Sequence, residues 1–280
     1  MPEAAGRQAT RLPPPRPVTP TTIVAAELVD VCAELEAWGG VPATLLDKLR
    51  RARDLAGGLD PYLDRCTTSE SPALARLAQR TRDTDWVTHS SGTLEQEMLS
   101  GHVEGQALKF LIRLAGARRV LEVGMFTGYS ALAMAEAVPE GGTVTACEID
   151  PEVAAFARGC FDDSPAGDRI RIEVGPALDT LRRLASDPET PPFDFVFIDA
   201  DKAGYAGYLD LLLNSALLAP DAVIAVDNTL MQGQPYTGEG VTGNGAAIAA
   251  FNTAVADDPR VEQVLLPLRD GVTLIRRASP

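Results

Sequence analysis

Residues 119–130, which read RVLEVGMFTGYS, decide the fold of this chain. The run from Arg119 to Val123 is rich in apolar and β-branched residues and therefore predicts a buried strand. Gly124 follows at once, and a glycine just past a strand lets the backbone approach a bound molecule closely. Residues 130–137 then predict a helix. The stretch is thus typical of a strand, a turn and a helix, with a binding site at the turn.

The same alternation of strand and helix continues towards the C-terminus. Strictly alternating units with apolar strands predict a parallel sheet covered by helices on both faces. An Asp-Gly pair, Asp270-Gly271, precedes the last strand and is a hairpin signal, so we expect that strand to run antiparallel. This layout is typical of an α/β class I methyltransferase with a Rossmann-like, seven-stranded sheet. The predicted strands are 119–123, 143–149, 170–174, 193–198, 222–226, 261–267 and 272–276, and the helices between them are 130–137, 152–161, 177–185 and 205–218.

The N-terminal part of the chain lacks this alternation. Residues 1–20 contain a cluster of prolines and few apolar residues, which predicts a disordered or extended arm. We expect an N-terminal helical extension over residues 21–100 and a methyltransferase domain over residues 101–280. The predicted helices of the extension run from a cap at Thr21 or Thr22 to Gly39-Gly40, from Pro42 to about Ala56 with a stop at Gly57-Gly58, and onward from Ser71-Pro72.

The bulk composition excludes several classes of protein. The formal net charge is −14 and the pI is about 4.6, which argues against a nucleic acid or an anionic membrane as partner. The cysteines form no CxxC pair, and the two histidines, His89 and His102, lack metal-ligand spacing, so the common zinc patterns are excluded. No apolar run is long enough to span a bilayer. We expect a cytoplasmic protein in a reducing compartment, with a small molecule as its partner.

Three strand ends carry residues that suit an adenosyl cofactor, because ligands of open parallel sheets lie at the carboxyl ends of the strands. The dinucleotide fingerprint requires a glycine where Phe126 stands, so a pyrophosphate and a nicotinamide-dependent dehydrogenase are disfavoured. Glu148, at the end of the second strand, can accept hydrogen bonds from ribose hydroxyls, whereas Asp150, just before Pro151, fits a helix cap better. The backbone of residues 175–178 can contact an adenine edge. Together these ends predict a site for S-adenosylmethionine.

The fourth and fifth strands of the predicted sheet end in oxygen ligands. Asp199 follows one strand, and Asp227 and Asn228 follow the other, which suits Mg²⁺, Mn²⁺ or Ca²⁺ rather than zinc. For a single aspartate, a helix cap would be the better interpretation. Lys202 comes three residues after Asp199, so it can point into the same cleft and act as a general base beside a cation. The alternative is a surface lysine that pairs with Asp201; His89 and His102 are favoured as structural residues over bases.

Several motifs resemble the cation-dependent catechol and caffeoyl-CoA O-methyltransferases. They are Glu104-Gly105-Gln106, FTGYS at 126–130, IDADK at 198–202, DNTL at 227–230 and DPRVE at 258–262. The resemblance implies a homodimer, with the N-terminal helices as contributors. It also implies that Lys202 is the base and that a divalent cation, Mg²⁺ foremost, is held by Asp199, Asp227 and Asn228. The cofactor contacts that it implies are Ser100, Glu122, Gly124, Met125, Ser130, Glu148, Ala177 and Asp199.

A second set of motifs resembles the O-methyltransferases of mycosporine biosynthesis, which convert demethyl-4-deoxygadusol to 4-deoxygadusol. These motifs are GLDPYLD at 58–64, CTT at 66–68, LEQEMLSGH at 94–102 and MQGQ at 231–234. That substrate has a hydroxyl beside an enolised ketone, and we infer that such a pair of oxygens can chelate a cation much as a catechol does.

Two departures from the family pattern bear on the substrate. Residues 243–250 lack the basic residues of relatives that use acyl-CoA, and Met231 stands where plant members have Trp. Both favour a small polar ring over a phenolic CoA thioester. A catechol or phenolic O-methyltransferase of another natural-product pathway remains the main alternative. A non-catalytic S-adenosylmethionine-binding protein is disfavoured, because Lys202 and the three metal-ligand candidates are all present.

Overall fold

The computed structural model describes residues 16–86, 94–238 and 240–278. It contains a single mixed sheet in the order β3-β2-β1-β4-β5-β7-β6, in which β1 to β5 are parallel and β7 is antiparallel to both of its neighbours. The predicted seven-stranded Rossmann-like sheet with an antiparallel last strand is therefore confirmed. The strands are β1 (Arg119–Val123), β2 (Thr143–Glu148), β3 (Ile170–Val174), β4 (Phe193–Ile198), β5 (Leu218–Val226), β6 (Val261–Leu266) and β7 (Val272–Arg277).

The register of the central strands brings their carboxyl ends to one edge of the sheet. Val123 of β1 pairs with Cys147 of β2 and with Ile198 of β4, and Ile198 in turn pairs with Val226 of β5. The residues that follow these strands therefore lie side by side. Gly124, Glu148, Asp199 and Asp227 all belong to this edge.

Helices cover both faces of the sheet because its strands are apolar on both sides. Val120 and Leu121 are both fully buried, but they belong to separate core clusters, since successive strand residues point to opposite faces. The α-helices that lie wholly within the described residues are α1 (Pro20–Trp38), α2 (Ala43–Cys66), α3 (Pro72–Arg82), α4 (His102–Ala115), α5 (Tyr129–Ala137), α6 (Pro151–Phe161), α7 (Ala177–Ser186), α8 (Tyr205–Leu213), α9 (Gln234–Thr237) and α10 (Gly243–Ala256).

The N-terminal helices differ from the sequence prediction mainly in α2. This helix continues through Gly57-Gly58 to Cys66, so the predicted stop at Ala56 is wrong. The two glycines cost about 1 kcal/mol each in a helix interior, but α2 packs along α1, and a Cβ on Gly57 would lie in ordinary contact with Ala25. Packing against α1 thus outweighs the local preference to end the helix. Helix α1 is capped by Thr19 rather than by Thr21 or Thr22, and α3 begins as predicted, with Leu74, Leu77 and Ala78 buried.

The boundary between α8 and β5 also differs from the prediction. The helix ends at Leu213, not at residue 218, and β5 begins at Leu218 rather than at residue 222. The apolar run 211–218 fits a helix by its spacing, but the carbonyl of Leu217 accepts a hydrogen bond from Phe193 N at 2.7 Å, and Leu218 pairs with Phe193. Because Leu218 pairs with β4, β5 begins at this residue and the helix ends before it.

Helices α1 and α2 leave large apolar side chains exposed. Trp38 is 82% exposed and Leu55 is 78% exposed, and Val24 and Tyr62 are also exposed. The homodimer implied by the resemblance stays a prediction, which light scattering in solution would test. Within the described ranges, no helix has both the length and the apolar character needed to cross a membrane. All four cysteines, Cys32, Cys66, Cys147 and Cys160, are free thiols.

Candidate active site

A cleft of about 780 Å³ opens at the carboxyl edge of the sheet. It brings together most of the site residues predicted from the sequence: Ser100, Gly124, Glu148, Ala177, Asp199, Lys202, Asp227 and Asn228. Met125 and Ser130 line a small adjoining pocket that shares Ser100 and Asp199 with the cleft. Glu122 lines neither pocket, because it lies fully buried within β1.

The turn after β1 can be formed only by glycine. Gly124 has a φ of +92°, and a Cβ built on it would lie 2.2 Å from the backbone oxygen of Asp199. The backbone nitrogens of Gly124 and Met125 both donate to the carbonyl of Cys147, at 3.2 and 3.0 Å. This close approach locks the ends of β1, β2 and β4 together, and it places Asp199 directly beside the glycine turn.

Glu148 anchors the loop that follows this turn. Its carboxylate accepts hydrogen bonds from Phe126 N at 2.7 Å and from Asp150 N at 3.0 Å. Burial raises the pKa of Glu148, and these N–H groups oppose the shift. Asp150 accepts from the backbone nitrogens of Glu152 and Val153, so it is the helix cap expected from its position before Pro151.

Glu122 is a buried carboxylate without an obvious structural partner. Both of its oxygens lack a hydrogen-bond partner among the described residues, and burial raises its pKa well above the usual range, although the nearby Ser130 opposes the shift. Unsatisfied buried carboxylates are costly and rare in folded proteins. Glu122 lies two residues before the turn at Gly124 and close to Ser130, which lines the small pocket. A buried carboxylate in this position can bind a cationic group of a ligand.

Lys202 lies in the part of the cleft that is formed by the residues following β4 and β5. Its Nζ donates hydrogen bonds to Asp199 Oδ1 at 2.8 Å, Tyr205 Oη at 2.8 Å and Asn228 Oδ1 at 2.6 Å. The alternative pairing with Asp201 is wrong, because Asp201 is exposed and accepts a hydrogen bond from Tyr208 Oη instead. Burial lowers the pKa of Lys202, but the nearby Asp199 and Asp227 outweigh it and the net shift is upward. A lowered pKa would need the charge of a bound cation and stays a prediction.

The cluster around Lys202 carries more acidic than basic groups. Burial and the neighbouring Asp199 raise the pKa of Asp227 to about 7. Burial and the neighbouring Asp227 raise the pKa of Glu104 well above its usual range. The carboxylates of the cluster are Glu104, Asp199, Asp227 and Asp270, and its cationic groups are Lys202 and Arg269. The raised pKa values mean that these carboxyl groups take up protons in the folded protein, and a bound divalent cation can replace such protons.

The oxygen atoms of this cluster fit a hard cation better than zinc. Asp199 Oδ1 and Asn228 Oδ1 both converge on the Lys202 ammonium, and Asp227 directly precedes Asn228. Among the described residues, no three His, Cys, Asp or Glu side chains form a group that could hold a metal ion. The ligand set predicted from the sequence contains only two such side chains together with an amide oxygen, a donor set suited to Mg²⁺, Mn²⁺ or Ca²⁺.

Four residues of this cluster received no role from sequence analysis: Glu104, Tyr205, Arg269 and Asp270. Arg269 donates from Nη1 to Glu104 Oε2 at 3.2 Å and to the carbonyl of Leu99 at 3.0 Å. Glu104 belonged to a quoted family motif, and Asp270 to the hairpin signal, but neither pattern indicates which cleft a side chain will enter. The remaining candidate bases lie elsewhere. His102 contacts Asp64 and the carbonyl of Thr68, a structural role, and His89 falls outside the described residues.

The end of the predicted N-terminal arm also reaches the cleft. Arg16, Val18 and Thr19 line it, and Arg16 pairs with Glu95 and donates from its backbone nitrogen to Glu97 Oε1 at 3.2 Å. Residues 1–15 of the arm lie outside the described residues. The described end of the arm therefore forms part of the wall of the cleft.

The strand order and the cleft at the sheet edge define a class I methyltransferase. The chain belongs to the O-methyltransferase family, whose family model matches residues 67–278. It is 41% identical to caffeoyl-CoA O-methyltransferase 2 of Zea mays over 183 residues, which cover 63% of this chain and 69% of the relative. It is 38% identical to tricin synthase 2 of Oryza sativa subsp. japonica, covering 64% of this chain and 63% of that protein.

Solved structures agree with this assignment. The methyltransferase PaMTH1 of Podospora anserina, bound to S-adenosylhomocysteine, superposes with a TM-score of 0.71 at 29% identity, covering 81% of this chain and 96% of that one. The O-methyltransferase TomG of Streptomyces achromogenes, involved in tomaymycin synthesis and solved with S-adenosylmethionine, gives a TM-score of 0.66 at 29% identity, covering 79% and 96%. The chain is an S-adenosylmethionine-dependent O-methyltransferase of the caffeoyl-CoA type.

Proposed function

We propose that this enzyme methylates a hydroxyl of a small polar ring with two adjacent oxygens, and that it needs a divalent cation, Mg²⁺ foremost. Asp199, Asp227 and Asn228 would hold the cation. The excess of buried carboxylates around Lys202 supports this assignment, as does the oxygen-only donor set. A divalent cation in this place supplies electrostatic stabilisation and lowers the pKa of a nearby hydroxyl.

The cofactor would lie across the ends of β1, β2 and β3. Glu148 lines the cleft, and lone pairs of its carboxylate beyond those that bind backbone nitrogens can accept from the ribose hydroxyls. The unpartnered carboxylate of Glu122 suits the ammonium group of the methionine moiety. The remaining contacts would come from Ser100, Gly124, Met125, Ser130, Ala177 and Asp199. S-adenosylmethionine supplies an electrophilic methyl group, and the protein fixes the acceptor oxygen in line with it.

The lining of the acceptor end supports a polar substrate. Among the described residues, the aromatic side chains of the cleft are Phe126, whose backbone nitrogen donates to Glu148, and Tyr208, whose hydroxyl donates to Asp201. The acceptor end around Lys202 is lined instead by Met231, Gln232, Asn244, Arg269 and Asp270. Apart from Met231 these side chains are polar, which suits a small polar ring. This polar lining is the observation that carries the proposed substrate, demethyl-4-deoxygadusol, with 4-deoxygadusol as product in mycosporine biosynthesis.

A catechol or phenolic O-methyltransferase of another pathway is the second candidate. It is favoured by the names of the plant relatives, caffeoyl-CoA O-methyltransferase and tricin synthase. The same cofactor and metal residues would serve both reactions, so only the substrate distinguishes the two candidates.

A substrate comparison tests the proposal. The enzyme with S-adenosylmethionine and Mg²⁺ should convert demethyl-4-deoxygadusol to a product heavier by one methylene, with a higher kcat/KM than for catechol or caffeoyl-CoA. Mass spectrometry of the products and initial rates would measure this. A higher kcat/KM for either phenolic substrate would contradict the proposed substrate and favour the second candidate.

Replacing Lys202 with alanine should slow the reaction to different extents on different acceptors. The enol of demethyl-4-deoxygadusol is conjugated to a ketone and is more acidic than a simple phenol, so it leaves little proton transfer for a base. Lys202 would mainly position the oxygen. On this substrate kcat should therefore fall by less than the roughly 10²–10⁴-fold that is usual for loss of a general base, and on a catechol it should fall further.

The measurement is kcat against pH for wild type and Lys202→Ala on both acceptors. Lys48→Ala provides a matched control, because Lys48 is exposed on α2 and should leave kcat unchanged. Equal losses on both acceptors, rescued equally at high pH, would show instead that Lys202 is a true base and that substrate acidity is irrelevant.

A further inference from the structure

The turn between β6 and β7 forms part of the wall of the cleft at its acceptor end. Asp270, in this turn, lines the cleft although it is only 5% exposed. Its Oδ1 accepts a hydrogen bond from Gln232 N at 2.6 Å, and its Oδ2 accepts a longer one from Asn228 Nδ2 at 3.4 Å. Both oxygens of this buried carboxylate are thus engaged by the segment that follows β5. That segment includes Asn228, one of the proposed metal ligands.

Asp270 fixes which way the side-chain amide of Asn228 points. Lys202 can only donate, and its Nζ lies 2.6 Å from Asn228 Oδ1. An ionised Asp270 can only accept, and it faces Asn228 Nδ2. Turning the amide over would set its NH₂ group against the ammonium and its oxygen against the carboxylate, and both contacts are repulsive. Asp270 therefore keeps the amide oxygen turned towards Lys202 and Asp199.

The backbone of residues 228–232 also depends on this turn. Asn228, Met231 and Gln232 have φ values of 56°, 39° and 57°, in a left-handed region that side chains disfavour and that persists only where the surroundings enforce it. Apart from the bond between Gln232 N and the Asp270 carboxylate, Leu230 N donates to the carbonyl of Asp270 at 2.8 Å. The carbonyl of the next residue in the turn accepts from Thr229 N at 3.0 Å. The hairpin turn thus holds the strained segment along its length.

We propose that Asp270 is a positioning residue of the acceptor site, which orients the Asn228 amide and the segment 228–232 so that the amide oxygen faces the metal position. The inference rests on the proposed function, since it concerns how a proposed metal ligand is held. Asp270 would act through Asn228 and would not itself bind the metal. Removing a partner that orients a metal ligand typically weakens metal binding by 10–100-fold.

The test is Mn²⁺ binding to the enzyme without acceptor, measured by titration calorimetry and by the electron paramagnetic resonance signal of free Mn²⁺. Asp270→Asn keeps the shape of the side chain but replaces one acceptor oxygen with a donor. It should weaken Mn²⁺ binding by about 10–100-fold and leave the Kd for S-adenosylhomocysteine unchanged. In the Asn228→Ala background the same substitution should change Mn²⁺ binding by less than about twofold, because the residue through which it acts is gone.

Asp221→Asn is the matched control, since Asp221 is exposed on β5 and loses the same charge. It should leave both affinities as in wild type. If wild type and Asp270→Asn bind Mn²⁺ equally well, the proposed role of Asp270 is contradicted, whereas the proposed metal site is supported. Equal losses of Mn²⁺ and S-adenosylhomocysteine affinity, with a lower Tm, would show a general structural role and overturn the inference. Failure of wild type to bind Mn²⁺ would overturn both the metal site and the role of Asp270.

Discussion

Treatment of the enzyme with excess EDTA should abolish methyl transfer, and added Mg²⁺ or Mn²⁺ should restore it. The reason is the composition of the acceptor site, where the acidic residues Glu104, Asp199, Asp227 and Asp270 outnumber the basic residues Lys202 and Arg269 and can exchange protons for a cation. A cation that held the acceptor hydroxyl would lower its pKa and fix its direction, and together these effects can be worth several kcal/mol, where about 1.4 kcal/mol corresponds to a tenfold rate. Asp227→Ala should therefore lower kcat in the presence of Mg²⁺ by about a thousandfold, measured as initial rates over a range of Mg²⁺ concentrations.

The fold of this variant should survive. Asp227 follows the end of β5, and its carboxylate accepts a hydrogen bond from the neighbouring Asn228 N at 2.7 Å. Burial raises its pKa to about 7, which means that its ionised form costs free energy in the folded state. Removing the carboxylate should therefore leave the Tm close to that of wild type. Asp210→Ala, an exposed aspartate of α8, should keep the full rate. Undiminished turnover after exhaustive chelation would remove the cation from the reaction.

The sequence was sufficient to predict the sheet because its signals are local. Apolar strand runs such as Arg119–Val123 are short and bounded by glycine or proline, and the Asp-Gly pair before β7 specifies a turn. The ends of parallel strands meet at one edge, so the sequence alone places Gly124, Glu148, Asp199 and Asp227 together. The predictions that were wrong concern the ends of helices and strands, where packing between elements decides the boundary. Helix α2 passes through Gly57-Gly58 because α1 supports it, and β5 extends back to Leu218 because β4 pairs with it.

The same distinction applies to the site. Residues on strand ends were predictable from the sequence pattern, Ser100 only from the family resemblance, and the roles of Glu104 and Asp270 not at all. Glu104 comes from α4 and Asp270 from the β6–β7 turn, far from Asp227 in the sequence, and only the folded chain brings them to the cluster. No periodicity or spacing indicates such a contact. Long-range charge clusters are therefore the part of an active site that a single sequence reveals least.

Replacing Gly124 with alanine should have the largest effect on folding of any small substitution near the cofactor. The new Cβ would lie 2.2 Å from the backbone oxygen of Asp199 and 2.7 Å from the Cα of Ala200, and backbone atoms cannot turn aside as a side chain can. The positive φ of +92° adds conformational strain. Overpacking costs about 1–3 kcal/mol and such strain a further 1–3 kcal/mol. The sum is a large part of the 5–15 kcal/mol that stabilises a typical protein.

We expect Gly124→Ala to lower the free energy of unfolding by about 2–6 kcal/mol and to abolish S-adenosylhomocysteine binding, because the ends of β1 and β4 must separate. Urea unfolding and titration calorimetry would measure the two effects. Gly116→Ala is the matched control: Gly116 also has a positive φ, of +62°, but a Cβ there meets no atom within 4 Å. It should cost only the strain and keep cofactor binding. A stability and affinity for Gly124→Ala equal to those of Gly116→Ala would show that β1 and β4 tolerate a side chain at this turn, and that the close approach does not hold Asp199 in place.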